Sequence, residues 1–183
     1  IEEWIETGDE LRWFETFKAP VALDGQILGT VGYARDLTEY KVMVDALRNS
    51  EAEFRSLFEL SAVGSVEADP LTGRLLRANQ KFCEITGYSA EELLAQSVDV
   101  ITHPDDLERS RQGFRAVMTG ETDLFVADER YVRKDGSIVW VNVQLTAVRD
   151  EQNHVTRSIA VIQDITIQKQ AEAALRDQLK MQD

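Results

Sequence analysis

Residues that cross-link chains, hold metals or break regular structure are scarce in this sequence. A single cysteine, Cys83, stands among 183 residues, which excludes an internal disulfide and suits a reducing compartment. The two histidines, His103 and His154, lie far apart with no second ligand at metal spacing, so no metal is expected. Three prolines and ten glycines leave no room for a long collagen-like or disordered stretch. No apolar run approaches the ~20 residues that a membrane helix needs, and no charged segment followed by an apolar core marks a secretory leader. A cytoplasmic chain without membrane contact is therefore expected. Positive charge is also short: 20 Lys and Arg against 33 Asp and Glu give a net charge of −13. Such a surface repels a phosphate backbone, so nucleic acid is not an expected partner. The chain opens on Ile1 without Met and is expected to be a piece of a longer protein.

The sequence repeats itself. Asp36-Leu37-Thr38 matches Asp164-Ile165-Thr166, Trp13 matches Trp140, and Trp4 precedes Trp13 by the distance that separates Tyr131 from Trp140. Residues 4–38 thus read as a second copy of 131–166, with nothing ahead of them to match 54–130.

The later copy reads as an antiparallel meander. Phe125–Arg133 is one run, Lys134-Asp135-Gly136 a turn, and Ile138–Val148 alternates, with Val141, Val143 and Leu145 on one side and Trp140 on the other. Val155–Ile162 is a third run. Ahead of the meander, Gly64–Ala68 and Arg74–Ala78 read as short strands joined by a Pro/Gly turn. Asn79–Ile85 is a short helix stopped by Gly87, Ser89 with Glu92 forms a capping box, and 105–119 is an amphipathic helix. The order β-β-α-α-α-β-β-β packs most economically as a five-stranded antiparallel sheet with helices on one face, an α+β fold.

Several segments carry a family resemblance. Asn79-Gln80-Lys81-Phe82 with Thr86-Gly87-Tyr88-Ser89-Ala90-Glu91-Glu92-Leu93, His103-Pro104-Asp105-Asp106, Arg133-Lys134-Asp135-Gly136-Ser137 with Trp140, and Asp164-Ile165-Thr166 resemble, in order and spacing, a PAS domain with its C-terminal PAC motif. The resemblance implies four parts: the end of an upstream PAS domain as a three-stranded partial sheet (1–38), a connecting helix (39–60), a complete PAS domain (61–166) and an outgoing signalling helix (167–183). It implies a non-enzymatic sensory relay module of a multidomain signal-transduction protein, with a histidine kinase or cyclic-di-GMP enzyme as effector in the same polypeptide. A ligand-free dimerisation spacer and a non-covalent flavin redox sensor are the alternatives. Leu37, Tyr40, Val44, Leu47, Phe54 and Phe58 follow a heptad stripe interrupted at Glu51, which suits either a homodimeric helix pair or packing on the chain's own sheet. The apolar face of the partial sheet is expected to be covered by a second protomer or by the connecting helix.

PAS domains differ in cargo, so the fold alone assigns none. Light-oxygen-voltage photoreceptors, a PAS subclass, carry a reactive Cys where this chain has Ser97-Val98-Asp99-Val100, and flavin-reading amides where it has Tyr131, Val141 and Ile162. Haem would want a His on the 105–119 helix, which has none. No Gly-rich phosphate loop and no Ser, His and acid at motif spacing are present. A pocket remains as the expected site: Val141, Val143, Leu145, Ala160 and Ile162 as wall, Tyr131 as polar handle, and Phe82, Tyr88 and Phe114 as cover. It suits a small organic ligand or a filled core. Asp164, Ile165 and Thr166 are expected to couple the last strand to the outgoing helix, with the Asp164 carboxylate as its cap.

Overall fold

The structure, a computed structural model, describes residues 1–8 and 10–180. The chain divides into two units, Ile1–Arg55 and Ser56–Asp183, and the boundary falls inside helix α1, Thr38–Glu59.

The first unit is a meander of β1 (Glu2–Thr7), β2 (Glu10–Leu23) and β3 (Gln26–Asp36), antiparallel in the order β1-β2-β3. Asp24 and Gly25 turn the second hairpin with φ of 49° and 80°, the left-handed pair that a two-residue hairpin loop demands. Trp13 pairs with Trp4, but its counterpart Trp140 pairs with Arg130, so the expected match of Trp4 to Tyr131 is off by one. The hairpin between β1 and β2 is one residue shorter than that of the later copy, and counting residues back from Trp cannot see where a turn absorbs the difference. Phe17 and Tyr33 pair across β2 and β3 with rings 5.9 Å apart, and both are exposed, as is Val31. Helix α1 buries no residue, and of its heptad stripe Tyr40, Leu47 and Phe54 are exposed.

The second unit has the expected α+β order. Strands β4 (Gly64–Ala68) and β5 (Leu75–Ala78) are followed by α2 (Gln80–Thr86), α3 (Ala90–Leu94), a 3-10 turn (Val98–Val100) and α4 (Pro104–Thr119). Strands β6 (Leu124–Val132), β7 (Ile138–Arg149) and β8 (Val155–Asp164) complete an antiparallel sheet in the order β5-β4-β8-β7-β6, and α5 spans Thr166–Lys180. Residues 181–183, the expected end of that last helix, lie outside the described residues.

Local chemistry sets these boundaries. Gly87 takes φ 76° and closes α2, a conformation that costs a side-chain-bearing residue more. Ser89 and Glu92 form the capping box that starts α3. The His103 ring Nδ1 accepts from the Asp105 N–H at 3.3 Å ahead of Pro104, so this histidine is a helix cap. The C-terminal end of the outer edge of β6 is covered: His103 N–H donates to Arg130 O at 2.8 Å and Val132 N–H to Ile101 O at 2.7 Å.

Asn79 joins three of these elements. Its Oδ1 accepts from the N–H groups of Ser65 and Phe82, each at 2.9 Å, and its Nδ2 donates to Phe58 O at 2.9 Å and Val63 O at 3.0 Å. The side chain is fully buried with its hydrogen-bonding capacity spent. Asn79→Ala removes the side-chain partner of four backbone groups, three of them partly buried and the fourth, the buried Phe82 N–H, still able to reach Asn79 O at 3.1 Å, at about 1–3 kcal/mol for each that water cannot reach. We expect loss of about 2 kcal/mol or more of unfolding free energy for this variant in urea, and Asn79→Asp to destabilise too because it keeps the acceptors and loses both donors. A midpoint close to that of the wild type would refute the hub role.

Candidate functional site

The helices α2, α3 and α4 cover one face of the five-stranded sheet, and that face is filled unevenly. Phe82, Val139 and Val141 are fully buried in its packed part. Beneath α4 and the Pro70–Gly73 turn a cavity of about 350 Å³ remains. Val143 and Leu145 of β7 with Ala160 and Ile162 of β8 form its floor, Phe114 and Met118 of α4 with Phe125 and Tyr131 of β6 its walls. Ser97 and Asp99, with Arg111 and Arg115 of α4, line its polar side. Gly113 brings α4 this close to the sheet: a Cβ there would lie 2.3 Å from the Phe125 ring.

Of the pocket residues expected from sequence, Phe114, Tyr131, Val143, Leu145, Ala160 and Ile162 line the cavity. Phe82, Val141 and Tyr88 do not: the first two are fully buried in the packed core and Tyr88 is half-buried against it. Alternation assigned Val141 to the correct face, but it pairs with Asp164, one pleat along the strand from the cavity floor. The Phe82 ring instead meets Tyr131 edge-on, 6.3 Å between centroids. Cys83 is partly buried against the same core, and burial raises its thiol pKa, with Glu59 adding to the rise.

The polar character of this core was missed. Glu129 lies on the inner face of β6, in register with Val141, and is fully buried. Neither of its carboxyl oxygens has a hydrogen-bond partner. Burial pushes its pKa up to about 7; Ser110, close but short of hydrogen-bond geometry, and the Arg109 guanidinium oppose the rise, while Asp106 adds to it. Buried Tyr131 next to it is likewise pushed upward, by desolvation first and then by Glu129. The signal in the sequence was strand parity: Phe125, Ala127, Glu129 and Tyr131 share one side, and a carboxyl in that series sits among core positions.

On the opposite face of the sheet Trp140 is met by two cations, the Arg130 guanidinium 5.5 Å and the Lys169 ammonium 5.6 Å from its ring centre. Arg130 also grips Asp106 of α4 through Nε and Nη2, both at 2.9 Å, which holds the Asp106 carboxyl below its ordinary pKa. Lys169, in the first turn of α5, reaches Asp128 at 2.6 Å. Contacts therefore run without a gap from the first turn of α4, through Arg130 and Trp140, to the first turn of α5.

The expected coupling residues lie at that junction. Asp164 Oδ1 accepts from the Thr166 N–H at 2.9 Å, Ile165 N–H donates to Trp140 O at 2.9 Å, and the Trp140 N–H donates to Thr166 Oγ1 at 3.1 Å. The first unit builds the same junction. Asp36 accepts from Thr38 N–H at 2.9 Å, Leu37 N–H donates to Trp13 O at 2.8 Å, Trp13 N–H donates to Thr38 Oγ1 at 2.8 Å, and Lys41 stands 5.4 Å over the Trp13 ring.

A five-stranded antiparallel sheet with a partly open core under helices, and a helix clamped to its last strand, is the build of a small sensory domain. The second unit is a PAS domain: the family described as the PAS fold matches residues 75–162. The chain is 29% identical over 152 residues to "Probable diguanylate cyclase DgcE" of Escherichia coli, covering 83% of this chain and 13% of that protein. It is 30% identical over 130 residues to "Sensor histidine kinase TmoS" of Ectopseudomonas mendocina, covering 71% of this chain and 13% of that one. The chain thus spans about an eighth of each of these relatives. Among solved structures, the PAS domain of a Colwellia psychrerythraea protein superposes with a TM-score of 0.58 at 22% identity, over 63% of this chain and 96% of the other. A PAS domain is a sensory module rather than a catalytic one, and these relatives are signalling proteins. Among the described residues no helix is long and apolar enough to cross a membrane, and no cluster of three or more His, Cys, Asp or Glu could hold a metal.

Glu129 gives the second unit a pH signature. Its folded pKa of about 7 lies above the ordinary 4.5, so between those values the native state keeps a proton that the unfolded chain releases. Its contribution is unchanged below pH 4.5, becomes less favourable as pH rises toward 7, and is flat beyond. The interval corresponds to about 3 kcal/mol. Glu129→Gln removes the ionisation, so its stability curve from urea melts should lack that decline and exceed the wild type above pH 7. Parallel curves for the two proteins would show that Glu129 ionises freely in the fold.

Proposed function

We propose that the second unit senses a small organic molecule in the cavity beneath α4 and relays its presence through α5 to an effector in the same polypeptide. The observation that carries this reading is the continuity between cavity and exit helix: Phe114 and Met118 of α4 line the cavity, and the first turn of α4 is tied through Arg130 and Trp140 to Lys169 of α5. A ligand that shifts α4 then shifts Arg130 against the Trp140 ring on which Lys169 of α5 also rests. The effector is a histidine kinase or an enzyme of cyclic-di-GMP synthesis, by kinship with the matched relatives. The cytoplasm is its compartment. A metal, haem or flavin is not part of this reading: α4 carries no histidine, and Tyr131, Val141 and Ile162 stand where flavin-reading amides would be. Homodimerisation through α1 and the sheet of the first unit accompanies it, because Tyr40, Leu47, Phe54, Phe17 and Tyr33 expose apolar surface.

Ala160→Phe tests the reading by filling the floor of the cavity. In the longer polypeptide, kinase or cyclase output should stop responding to cell extract, while Asp164→Ala with Thr166→Ala should leave ligand retention intact and uncouple the output. Denaturing mass spectrometry of the purified chain should release a small molecule from the wild type and none from Ala160→Phe. If the wild type carries and captures nothing and Ala160→Phe signals normally, the unit is a spacer and the sensing role falls.

A further inference from the structure

We propose that the ligand of the α4 cavity is a small carboxylic acid with an apolar body, its carboxylate held by Arg115 and its inner end in reach of the Tyr131 hydroxyl. This rests on the sensing role given above and names the chemistry of the same site. The polar groups that line the cavity divide into those already engaged and those left free. The Ser158 hydroxyl donates to Ala68 O at 3.2 Å, the Thr72 hydroxyl to Asp69 at 2.7 Å, and Ser97 Oγ accepts from the Asp99 N–H at 3.4 Å. Arg111 is bound to Asp99 at 2.9 Å. Among the described residues, the Arg115 side chain has no hydrogen bond or ion pair, the Tyr131 and Ser110 hydroxyls have no hydrogen bond, and the Ser97 hydroxyl keeps its proton to donate.

Each of these can donate, and the two that face each other across the apolar floor, Arg115 and Tyr131, differ in depth. Arg115 is exposed, on the open side of the cavity. Tyr131 is 2% exposed, and burial holds its hydroxyl in the neutral, donating form. Between them lies the apolar floor of Val143, Leu145, Ala160 and Ile162. The charged groups of the lining are Asp99, Arg111 and Arg115, a net charge of +1 in a chain of −13. An anion therefore finds here a local attraction that most of the surface denies it. An amine would meet two guanidiniums instead. A purely apolar molecule would fill the floor and leave Tyr131 buried without a partner. The cavity volume of about 350 Å³ is at the lower end of the ligand-pocket range, so the acid is a compact one.

The test is calorimetric titration of the purified chain, at low ionic strength, with benzoate, phenylacetate, hexanoate and octanoate and with the corresponding amides. At least one acid should bind, at least about threefold tighter than its amide, as for a charge-assisted pair at an exposed site. Arg115→Gln should erase that preference while leaving amide binding and the melting curve unchanged, and Tyr131→Phe should weaken both. Amides that match the acids, or a preference that survives Arg115→Gln, would overturn the assignment of a carboxylate; if that binding is still lost in Ala160→Phe, the cavity remains a sensor of neutral molecules. No binding by any member of the series would also overturn it, and a wild type that in addition captures nothing from extract would take the sensing role with it.

Discussion

One buried carboxamide holds the second unit in register. Asn79 has two acceptor sites and two donor sites, and its four partners come from the end of α1, the approach to β4, β4 itself and the first turn of α2. Each partner is a backbone group at a partly or fully buried position, where solvation by water is reduced. Because a carboxamide is neutral, this connection carries no Born penalty, unlike a buried ion pair. It also leaves the apolar residues free to differ in how tightly they pack, since the entry of the chain into the domain does not depend on them. The position of α2 over β4 follows from that anchor, and the packed part of the core around Phe82 follows from α2.

The rest of the inner face is constrained differently. Helix α4 is held at its N-terminal end by Asp106 on Arg130, and at its middle by the close seat of Gly113 on Phe125. Between that helix and the β4–β5 turn the side chains do not meet, and the cavity is what remains. An open volume and an unpaired buried carboxyl both subtract from stability. They occupy the part of the inner face around α4, while the packed part around α2 carries the anchor. A domain that bound nothing would gain by filling the one and neutralising the other, as Ala160→Phe and Glu129→Gln are designed to do.

Much of this was legible from residue types. Gly87, the Ser89–Glu92 box, the Asp135-Gly136 turn and the alternation along β7 each name their own conformation, because the relevant physics is local. Parity along a strand also assigned Trp140 to the outer face. What parity cannot supply is distance along the strand from an opening, which is why Val141 and Phe82 were grouped with the cavity residues although they are packed core. Nor could residue spacing fix the partner of Trp140, since the hairpins of the two copies differ in length and the ladder resumes at Arg130. Glu129 is readable by the same parity that places Tyr131, but among 33 Asp and Glu one more carboxylate carries no signal of its own. The engaged and free groups around the cavity depend on which loop meets which helix, and no local rule contains that.

The strand-to-helix junction shows most directly what the two units share. In each, an Asp carboxylate accepts from the N–H two residues on, a Thr hydroxyl two residues on accepts from the Trp of the neighbouring strand, and a Lys one turn further stands over that Trp ring. The first of these contacts satisfies a backbone N–H at the helix start, where donors would otherwise lack partners, and the second ties the helix's first residue to the neighbouring strand. The helix direction is thereby set by the sheet rather than by side-chain packing, and it holds even for α1 and α5, which bury no residue of their own. The units differ in what else meets the Trp. At Trp140 the second cation is Arg130, which also holds α4, whereas the strand partner of Trp13 is Trp4, packed edge-on at 5.1 Å. Exchanging an aromatic for an arginine at one strand position therefore adds a charged connection between the cavity helix and the exit helix. A junction that is only a clamp in the first unit has, in the second, a path by which the inner face of the sheet can bear on the helix that leaves it.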